Sequence, residues 1–193
     1  MPRTPRLFVV SGPSGAGKGT LLALVREQRP DLGLTVSATT RSPRPGEVNG
    51  VSYHFLSDKE FDRRVKDGAF LEWANVHGHK YGTLRSEVDK NLAVGRSVVL
   101  EIDVQGALNV RKVYPDAVLV FIEPPSMEAL EQRLRGRGTE DEASLELRLK
   151  DAAGEMALAP HYDERVVNDD LDAAAARLLA VLEAHEADST KTK

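Results

Sequence analysis

A glycine-rich stretch near the amino terminus constrains this chain more than any other feature. Residues 12–20 read Gly-Pro-Ser-Gly-Ala-Gly-Lys-Gly-Thr and lie between the apolar runs Leu7–Val10 and Leu21–Val25. The first run is typical of a buried strand, and the second favours a helix. Such a turn directs backbone N–H groups inward at a helix N-terminus, and its lysine adds a charge for phosphate oxygens. The stretch therefore predicts a nucleotide-binding phosphate loop.

The residue after the lysine departs from the general pattern for such loops. A serine or threonine usually stands there to hold magnesium, but here Gly19 comes first and Thr20 follows. The spelling Lys-Gly-Thr resembles the loop of nucleoside monophosphate kinases. That resemblance implies that Mg²⁺ is held largely by water and phosphate oxygens, while the threonine contacts phosphate. A glycine-rich turn without a ligand is the alternative, and the flanking strand and helix weigh against it.

Length and composition exclude several classes of protein. The chain has 193 residues, of which 41% are hydrophobic, enough for one domain with small insertions. No apolar run could span a bilayer and no signal-type segment follows the first residues, so we expect a cytoplasmic protein without a membrane partner. The absence of cysteine excludes disulfides and thiolate chemistry. A net charge of −4 argues against general nucleic-acid binding, while monomer and homodimer both stay open.

Short apolar runs alternate with helical patterns along most of the chain. The strand-like runs are Leu7–Val10, Ser97–Ile102, Ala117–Ile122 and Arg165–Val167. The helical patterns are Thr20–Glu27, Val104–Val113, Met127–Arg135 and Leu171–Glu186. Apolar strands that alternate with helices are typical of a parallel sheet covered on both faces. We therefore predict an α/β fold with a parallel sheet core flanked by helices.

Two segments interrupt this alternation and predict insertions into a single domain. Residues 35–90 carry prolines and the turn dipeptide Asn49-Gly50, followed by short alternating runs, which favours a small β-rich subdomain. Residues 126–158 contain Thr139-Glu-Asp-Glu142, a capping-box spelling that favours a helical lid. The core then consists of 1–34, 91–125 and 159–187, and the tail 188–193 is expected to be disordered.

Glu72 is the candidate for recognition of a base. The run Ala69–Val76 reads as a strand, and its alternation predicts one face made of Phe70, Glu72, Ala74 and Val76. A carboxylate on an otherwise apolar face is costly to bury unless an internal arginine or the N–H groups of a ligand reach it. Guanine offers N1–H and its exocyclic amine side by side, whereas adenine offers a lone pair at N1. Glu72 therefore favours a guanine ligand.

Taken in order, these motifs resemble the guanylate kinase family over nearly the whole chain. The stretch Ser37-Ala-Thr-Thr-Arg41-Ser-Pro-Arg44-Pro-Gly-Glu-Val-Asn-Gly50 resembles that family's site for the phosphate of GMP. The resemblance implies that this phosphate is held by Arg41, Arg44, Tyr53 and Tyr81. It implies that guanine is contacted by Ser37, Glu72, Thr83 and Asp103. Guanidinium and phenol donors suit a phosphate, and a carboxylate with hydroxyls suits a base edge.

The same resemblance implies an ATP half of the site. ATP would be bound by Gly12, Pro13, Ser14, Gly15, Ala16, Gly17, Lys18, Gly19, Thr20, Arg133 and Asn168. The implied catalytic residues are Lys18, Arg41, Arg137 and Arg148, the last two from the lid. Mg²⁺ is the implied cofactor, without direct protein ligands, and Thr20, Glu101 and Asp103 are candidates for contact with its waters. Arg135 receives no role, and Asp170 is expected to cap a helix.

The activity implied by the resemblance is transfer of the γ-phosphoryl group from ATP to GMP, which gives ADP and GDP. One alternative is a related binding module that keeps the fold without effective catalysis, and the intact Lys18 loop and the lid arginines count against it. A kinase for another nucleoside monophosphate is the second alternative, which Glu72 opposes. The five histidines show no metal-site spacing.

Overall fold

A buried strand of four apolar residues and one serine forms the centre of the fold. In the computed structural model, which describes residues 3–33, 35–76, 78–136 and 142–187, this strand is β1, Leu7–Ser11. β1 pairs in parallel with β6 (Val98–Glu101) on one side and with β7 (Val118–Glu123) on the other. β8 (Glu164–Val167) adds to β7 in parallel, so the strand order is β6-β1-β7-β8. The predicted parallel sheet core is confirmed.

The other elements cover this sheet or form a second one. Within the described residues the helices are α1 (Lys18–Gln28), α2 (Asp58–Lys66), α3 (Arg85–Ala93), α4 (Val104–Val113), α5 (Met127–Arg135), α6 (Glu142–Met156) and α7 (Leu171–Ala187), with a short 3-10 helix at Ala159–His161. The second sheet has the order β3-β2-β5-β4 and consists of β2 (Ala38–Thr39), β3 (His54–Phe55), β4 (Phe70–Val76) and β5 (His79–Leu84). In the part of the chain described, no helix has the length and apolar character that crossing a bilayer requires.

Helices bury both faces of the parallel sheet. On one face, Leu21 of α1 and Leu178 of α7 pack in a cluster with Phe8 of β1. On the other face, Val110 of α4 packs in a cluster with Val9 of β1. Each buried side chain of this size contributes about 1.5–3 kcal/mol to folding. These two cores hold the carboxyl ends of the strands in place, and open α/β sheets bind their ligands at that edge.

Two helices, α2 and α3, were not predicted from the sequence. α2 begins after Ser57, whose Oγ accepts a hydrogen bond from the backbone N–H of Glu60 at 3.2 Å. The spelling Ser57-Asp-Lys-Glu60 has the capping-box form and could have predicted this helix. Phe61 of α2 is fully buried beneath the second sheet. The segment 35–90, predicted to be β-rich, therefore also contains a helix that supplies part of its core.

The predicted face of β4 is wrong at Phe70. Phe70 pairs with Leu84 of β5, while Glu72 pairs with Thr83, so β4 carries one extra residue between these two pairs. Neighbouring residues of β5 point to opposite faces, and this irregularity therefore places Phe70 and Glu72 on opposite sides of the sheet. Phe70 stacks on Phe61, with ring centroids 4.4 Å apart. Simple alternation missed this because a bulge reverses the faces that follow it.

Gly12 illustrates how closely the glycine-rich loop fits the sheet. Its φ is +144°, and a Cβ at this position would overlap the carbonyl oxygen of Ile122 at the end of β7. We expect Gly12→Ala to lower the free energy of unfolding by about 3 kcal/mol, because backbone strain and steric overlap add. Urea denaturation measures this change.

Gly95→Ala is the matched control for the Gly12 prediction. Gly95 also has a positive φ, +78°, but nothing lies within 4 Å of a Cβ there. This variant should lose only the cost of the left-handed conformation, about 1 kcal/mol. Equal losses for the two variants would contradict the role of the Ile122 carbonyl.

Candidate active site

The glycine-rich loop encloses the amino group of its own lysine. Lys18 Nζ donates hydrogen bonds to the carbonyl oxygens of Gly12 at 2.6 Å and Pro13 at 3.0 Å. Gly15 and Gly17 have φ values of +90° and +89°, which only glycine adopts readily. The loop leads into the N-terminus of α1, and Ser14, Gly19 and Thr20 are exposed to solvent. This arrangement is able to receive an anion from the solvent side.

Asn168 and Arg133, both predicted to bind ATP, lie together beside this loop. Asn168 Nδ2 donates to the carbonyl oxygen of Ala16 at 2.7 Å, across 152 residues of chain. Arg133 Nη2, from α5, donates to the backbone carbonyl oxygen of Asn168 at 2.8 Å. Asp170, two residues further on, accepts from the N–H of Ala173 at 2.9 Å, which confirms its predicted role as a helix cap. Three chain segments therefore meet at Asn168.

The predicted lid also reaches the loop. Arg148 of α6 donates from Nη1 to Ser14 Oγ at 3.1 Å. Arg135, for which the sequence suggested no role, forms ion pairs with Glu131 of α5 at 2.9 Å and with Glu142 of α6 at 2.7 Å. Arg135 thus links α5 to α6, the two helices within the predicted lid.

Some predicted features of the lid and the tail lie outside the described residues. They are Arg137, residues 139–141 of the predicted capping box, and the tail 188–193. Glu142, the last residue of that box, is the first residue of α6.

The residues predicted to hold a monophosphate gather on the second sheet. Arg41 lies over the rings of Tyr53 and Phe55, with its guanidinium carbon 5.4 Å and 5.8 Å from the two ring centroids. Tyr53 in turn packs edge-on against Tyr81, at 6.1 Å between centroids. Cation–π contact with two rings favours one orientation of the guanidinium. Arg41, Tyr53 and Tyr81, three of the four residues predicted to hold the phosphate, are therefore brought together.

Glu47 is part of this cluster, although the sequence interpretation gave it no role. Its Oε1 accepts from Arg41 Nη2 at 2.8 Å, and its Oε2 accepts from the backbone N–H of Arg44 at 2.7 Å. The hydrogen bond from Arg41 is the main cause that lowers the pKa of Glu47. Its position, three residues after Arg44 in a Pro-Gly turn, is the signal that could have identified it. A carboxylate thus holds the guanidinium of Arg41 and the backbone N–H of Arg44.

Replacing Glu47 with glutamine tests whether the carboxylate prepares Arg41 or competes with a ligand for it. We expect Glu47→Gln to weaken binding of a nucleoside monophosphate about fivefold, because the loss of a charge-assisted hydrogen bond frees the guanidinium to leave its position. Equilibrium titration with GMP measures the effect. Glu27→Gln, a change on the exposed surface of α1, is the control. Tighter binding by Glu47→Gln would mean that Glu47 competes with the ligand instead.

Glu72 and Asp103 converge at the N-terminus of α4. A side chain at Gly106 would begin 3.4 Å from Asp103 Oδ1 and 3.5 Å from Glu72 Oε2. Thr83 donates from its hydroxyl to Glu72 Oε1 at 2.8 Å, while Asp103 accepts from the backbone N–H of Gly106 at 2.7 Å. Burial, and then the charge of Asp103, raise the pKa of Glu72 above its ordinary value. Glu72 is thus a partly desolvated carboxylate with an acceptor oxygen to offer.

A cavity of about 160 Å³ lies next to these groups. Its lining includes Ser37 and Thr83, both predicted to read a base, together with Glu101 at the end of β6. Thr83 is 3% exposed, so its hydroxyl is available only from within the site. The structure therefore brings the two predicted hydroxyls to one space. Among the described residues, no cluster of three or more His, Cys, Asp or Glu side chains has metal-ligand geometry.

Three further residues under the loop were missed by sequence reasoning. Ser11, at the end of β1, donates to the backbone carbonyl oxygen of Asp103 at 3.4 Å. Burial raises the pKa of the neighbouring Tyr162 phenol to about 12, and burial also raises the pKa of Glu155 on α6. The positive charge of Lys18 opposes the shift at Glu155, which places this carboxyl near the loop lysine. Ser11 directly precedes the loop, whereas Tyr162 and Glu155 lie far from it in sequence, and only the fold brings these two residues to it.

The chain matches known proteins along most of its length. The family model described as guanylate kinase matches residues 4–185. A guanylate kinase from Gloeobacter violaceus is 56% identical over 169 residues, which cover 88% of this chain and 82% of the relative. A guanylate kinase from Caldanaerobacter subterraneus subsp. tengcongensis is 50% identical over 176 residues, which cover 91% and 85% of the two chains. The family match includes the loop, the second sheet and most of α7.

A solved structure gives the same result in three dimensions. The crystal structure of a guanylate kinase from Anaplasma phagocytophilum superimposes with a TM-score of 0.71 at 34% sequence identity. The superposition covers 97% of this chain and 89% of that one. The sheet order and the positions of the flanking helices are thus those of a known fold.

Proposed function

This chain belongs to the guanylate kinase family and is an ATP-dependent kinase that acts on GMP, and we propose that its site has two halves, one for each substrate. The first half, around the glycine-rich loop and the lid, holds ATP. The second half, on the second sheet and at the N-terminus of α4, holds GMP. The observation that carries this division is Glu72, a partly desolvated carboxylate that accepts a hydrogen bond at 2.8 Å from Thr83, which itself lines the cavity.

In the ATP half, the backbone N–H groups of the loop and the Lys18 ammonium bind the polyphosphate. Lys18 gives up its bonds to the Gly12 and Pro13 carbonyls, at 2.6 and 3.0 Å, as phosphate oxygens replace them. Arg133 lies close enough to Asn168 for both to border the nucleotide. The remaining members of this half are Gly12, Pro13, Ser14, Gly15, Ala16, Gly17, Gly19 and Thr20.

In the GMP half, charge and shape separate phosphate from base. Arg41 and Arg44 bind the monophosphate, helped by the phenols of Tyr53 and Tyr81, because guanidinium groups pair with phosphate oxygens in bidentate fashion. Glu72 accepts from N1–H and the exocyclic amine of guanine, a pattern that no other common base presents to one carboxylate. The residues Ser37, Thr83 and Asp103 complete the base site.

The chemistry then needs positioning and charge neutralisation more than covalent help. An ionised oxygen of GMP attacks the γ-phosphorus of ATP in line, the bond to the β-phosphate oxygen breaks, and ADP and GDP result. Arg148, which already reaches Ser14 at 3.1 Å, closes over the migrating group with Arg137. The lid, residues 126–158, also excludes water, which would otherwise accept the phosphoryl group.

The residues around the loop fit a hydrated Mg²⁺. A side chain at Gly19 would begin 3.6 Å from Glu101 Oε2, so this glycine leaves the carboxylate facing the first turn of α1. Thr20, Glu101 and Asp103 would hold the waters of the metal, and the nucleotide phosphates would hold the metal itself. When bound, Mg²⁺ neutralises charge on the phosphate oxygens. We also propose that segment 35–90 is the GMP-binding insertion. The proposed location of the protein is the cytoplasm.

A coupled assay that follows ADP formation with GMP, AMP, CMP and UMP tests the base assignment. We expect GMP to be preferred by about 10⁴ in kcat/KM, because a mismatched base gives the partly desolvated Glu72 carboxylate no donor beyond the Thr83 hydroxyl. Comparable rates with AMP or UMP would contradict the role of Glu72. Tight GMP binding without turnover would instead favour the non-catalytic binding module. The intact Lys18 loop and Arg148 argue against that alternative.

A further inference from the structure

Asn168 is buried and is hydrogen-bonded through both its backbone and its side chain. Only 4% of the residue is exposed, and its backbone N–H donates to the Glu123 carbonyl oxygen at 2.7 Å. Its backbone carbonyl accepts from Arg133 at 2.8 Å, and its side-chain amide donates to Ala16 at 2.7 Å. Asn168 is therefore tied to β7, to α5 and to the glycine-rich loop at once.

The loop is shaped around this amide. A Cβ at Gly17 would overlap Asn168 Nδ2, so Gly17 must lack a side chain for the contact to form. Gly15 is restricted from another side, since a Cβ there would lie 2.9 Å from Leu130 Cδ1 and 3.0 Å from Leu134 Cδ2 of α5. The loop thus rests on Asn168 and α5, and α5 also supplies the arginine that holds the Asn168 backbone.

The contact with Ala16 determines the direction of a neighbouring donor. The Ala16 carbonyl and the Gly17 N–H belong to one planar peptide group, in which they point in opposite directions. A hydrogen bond that fixes the carbonyl toward Asn168 therefore aims the Gly17 N–H away from Asn168. Donors aimed in advance at a phosphate bind it without the cost of ordering the loop.

We propose that Asn168 is a positioning residue for the phosphate loop, which orients the Ala16–Gly17 peptide toward the polyphosphate of ATP whatever base the nucleotide carries. This role rests on the proposed function, because it assigns the polyphosphate to the loop. It differs from a contact with the base of ATP, since it acts on the triphosphate. Arg133 supports it by holding the Asn168 backbone from α5.

Inorganic tripolyphosphate separates the two roles because it has no base. We expect Asn168→Ala to weaken binding of ATP and of tripolyphosphate by the same factor, about tenfold, because the Ala16 carbonyl loses its buried donor. Asn168→Asp should weaken both further, since a carboxylate would then face a carbonyl oxygen. Isothermal titration calorimetry measures both ligands. Asn109→Asp, the same change on the exposed surface of α4, should leave both affinities unchanged.

The pattern of losses decides between the two roles. A loss of ATP affinity with unchanged tripolyphosphate affinity would overturn the positioning role in favour of a base contact, and no loss of either would overturn both. GMP affinity in the same variants should stay at the wild-type value, because the GMP half lies on other elements. Turnover of ATP and GMP by the wild-type enzyme tests the proposed function separately, so its failure would not be confused with failure here.

A variant that also loses GMP binding would have failed to fold. A measurement on the wild-type chain tests the proposal in that case. In ¹⁵N-labelled protein, the side-chain amide signal of Asn168 should shift when tripolyphosphate alone is added, since the hydrogen bond to Ala16 adjoins the ligand. A signal that moves with ATP and stays still with tripolyphosphate would overturn the positioning role.

Discussion

Replacing Arg148 with alanine should lower kcat by about 10³ and leave the KM for GMP within about threefold of wild type. Arg148 of α6 contacts Ser14 of the loop at 3.1 Å, on the side where the γ-phosphate of ATP is proposed to lie. GMP is proposed to bind on the second sheet, away from this contact. An arginine that meets the phosphoryl group during transfer stabilises the transition state more than either bound substrate, so its loss appears in kcat.

Steady-state kinetics with GMP varied at saturating ATP gives both constants for this variant. Arg63→Ala is the matched control, since Arg63 is an exposed arginine on α2 that pairs with Glu60 at 2.9 Å. This control should retain wild-type kcat and KM, because a surface ion pair contributes little. A rise in KM for GMP with unchanged kcat would show that Arg148 binds the acceptor, and the lid assignment would then be wrong.

Replacing Glu72 with glutamine should lower kcat/KM for GMP by about 10³ while the KM for ATP stays unchanged. In the proposed site the carboxylate offers acceptors to both guanine donors, whereas the amide of glutamine would present an N–H group to one of them. The Thr83 hydroxyl, which donates to Glu72 Oε1 at 2.8 Å, can still donate to the amide oxygen. The variant therefore loses the guanine contact while it keeps the internal one.

The stability of this variant shows whether the loss is local. Burial raises the pKa of Glu72 in the folded chain, and the charge of Asp103 adds to that shift. A carboxyl group with a raised pKa in the folded state costs stability when ionised, and this cost disappears as the pH falls through that pKa. Glu72→Gln removes the charge, so at pH 7 its urea midpoint should equal or exceed that of wild type. A lower midpoint and a loss of ATP binding would mean that Glu72 is a structural carboxylate.

The same shift predicts how GMP binding depends on pH. Because the pKa of Glu72 lies above its ordinary value, protonation begins at a higher pH than for an exposed glutamate. GMP affinity should therefore fall as the pH is lowered through that value, as the acceptor is lost. Titrations with GMP between pH 4 and 8 measure this, with Glu27→Gln on the surface of α1 as the control. The decrease in GMP affinity at low pH that is due to this carboxyl should be missing in Glu72→Gln. If the same decrease persists in that variant, another group causes it.

Much of the fold could be predicted because its signals are local. The run Leu7–Val10 is apolar at every position, and such a strand must lie between two covered faces. The glycines at 12, 15 and 17 predict a loop of unusual backbone conformation, and all three have positive φ. The cap at Asp170 was likewise predicted from its own residue type and confirmed. In each case the signal and its structural consequence lie within a few residues of each other.

Other features could not be predicted because they depend on distant partners. The bulge between Phe70 and Glu72 arises from the pairing of β4 with β5, and periodicity within one strand does not reveal it. Glu47 is an ordinary turn residue until Arg41 packs on Tyr53 and places its guanidinium beside the carboxylate. Arg135 joins α5 to α6 only because the two helices lie side by side.

The sequence by itself determined the α/β architecture, the glycine-rich loop and the family, since hydrophobic periodicity, turn chemistry and motif order are written along the chain. Only the tertiary structure decided that the Asn168 amide would donate a hydrogen bond at 2.7 Å to the carbonyl oxygen of Ala16, 152 residues away. It also decided that Glu72 would accept from Thr83 and that Arg148 would contact Ser14. The physical reason is that hydrogen bonds and desolvation depend on distances in space. Packing of the two cores sets those distances, and no local pattern of residues specifies them.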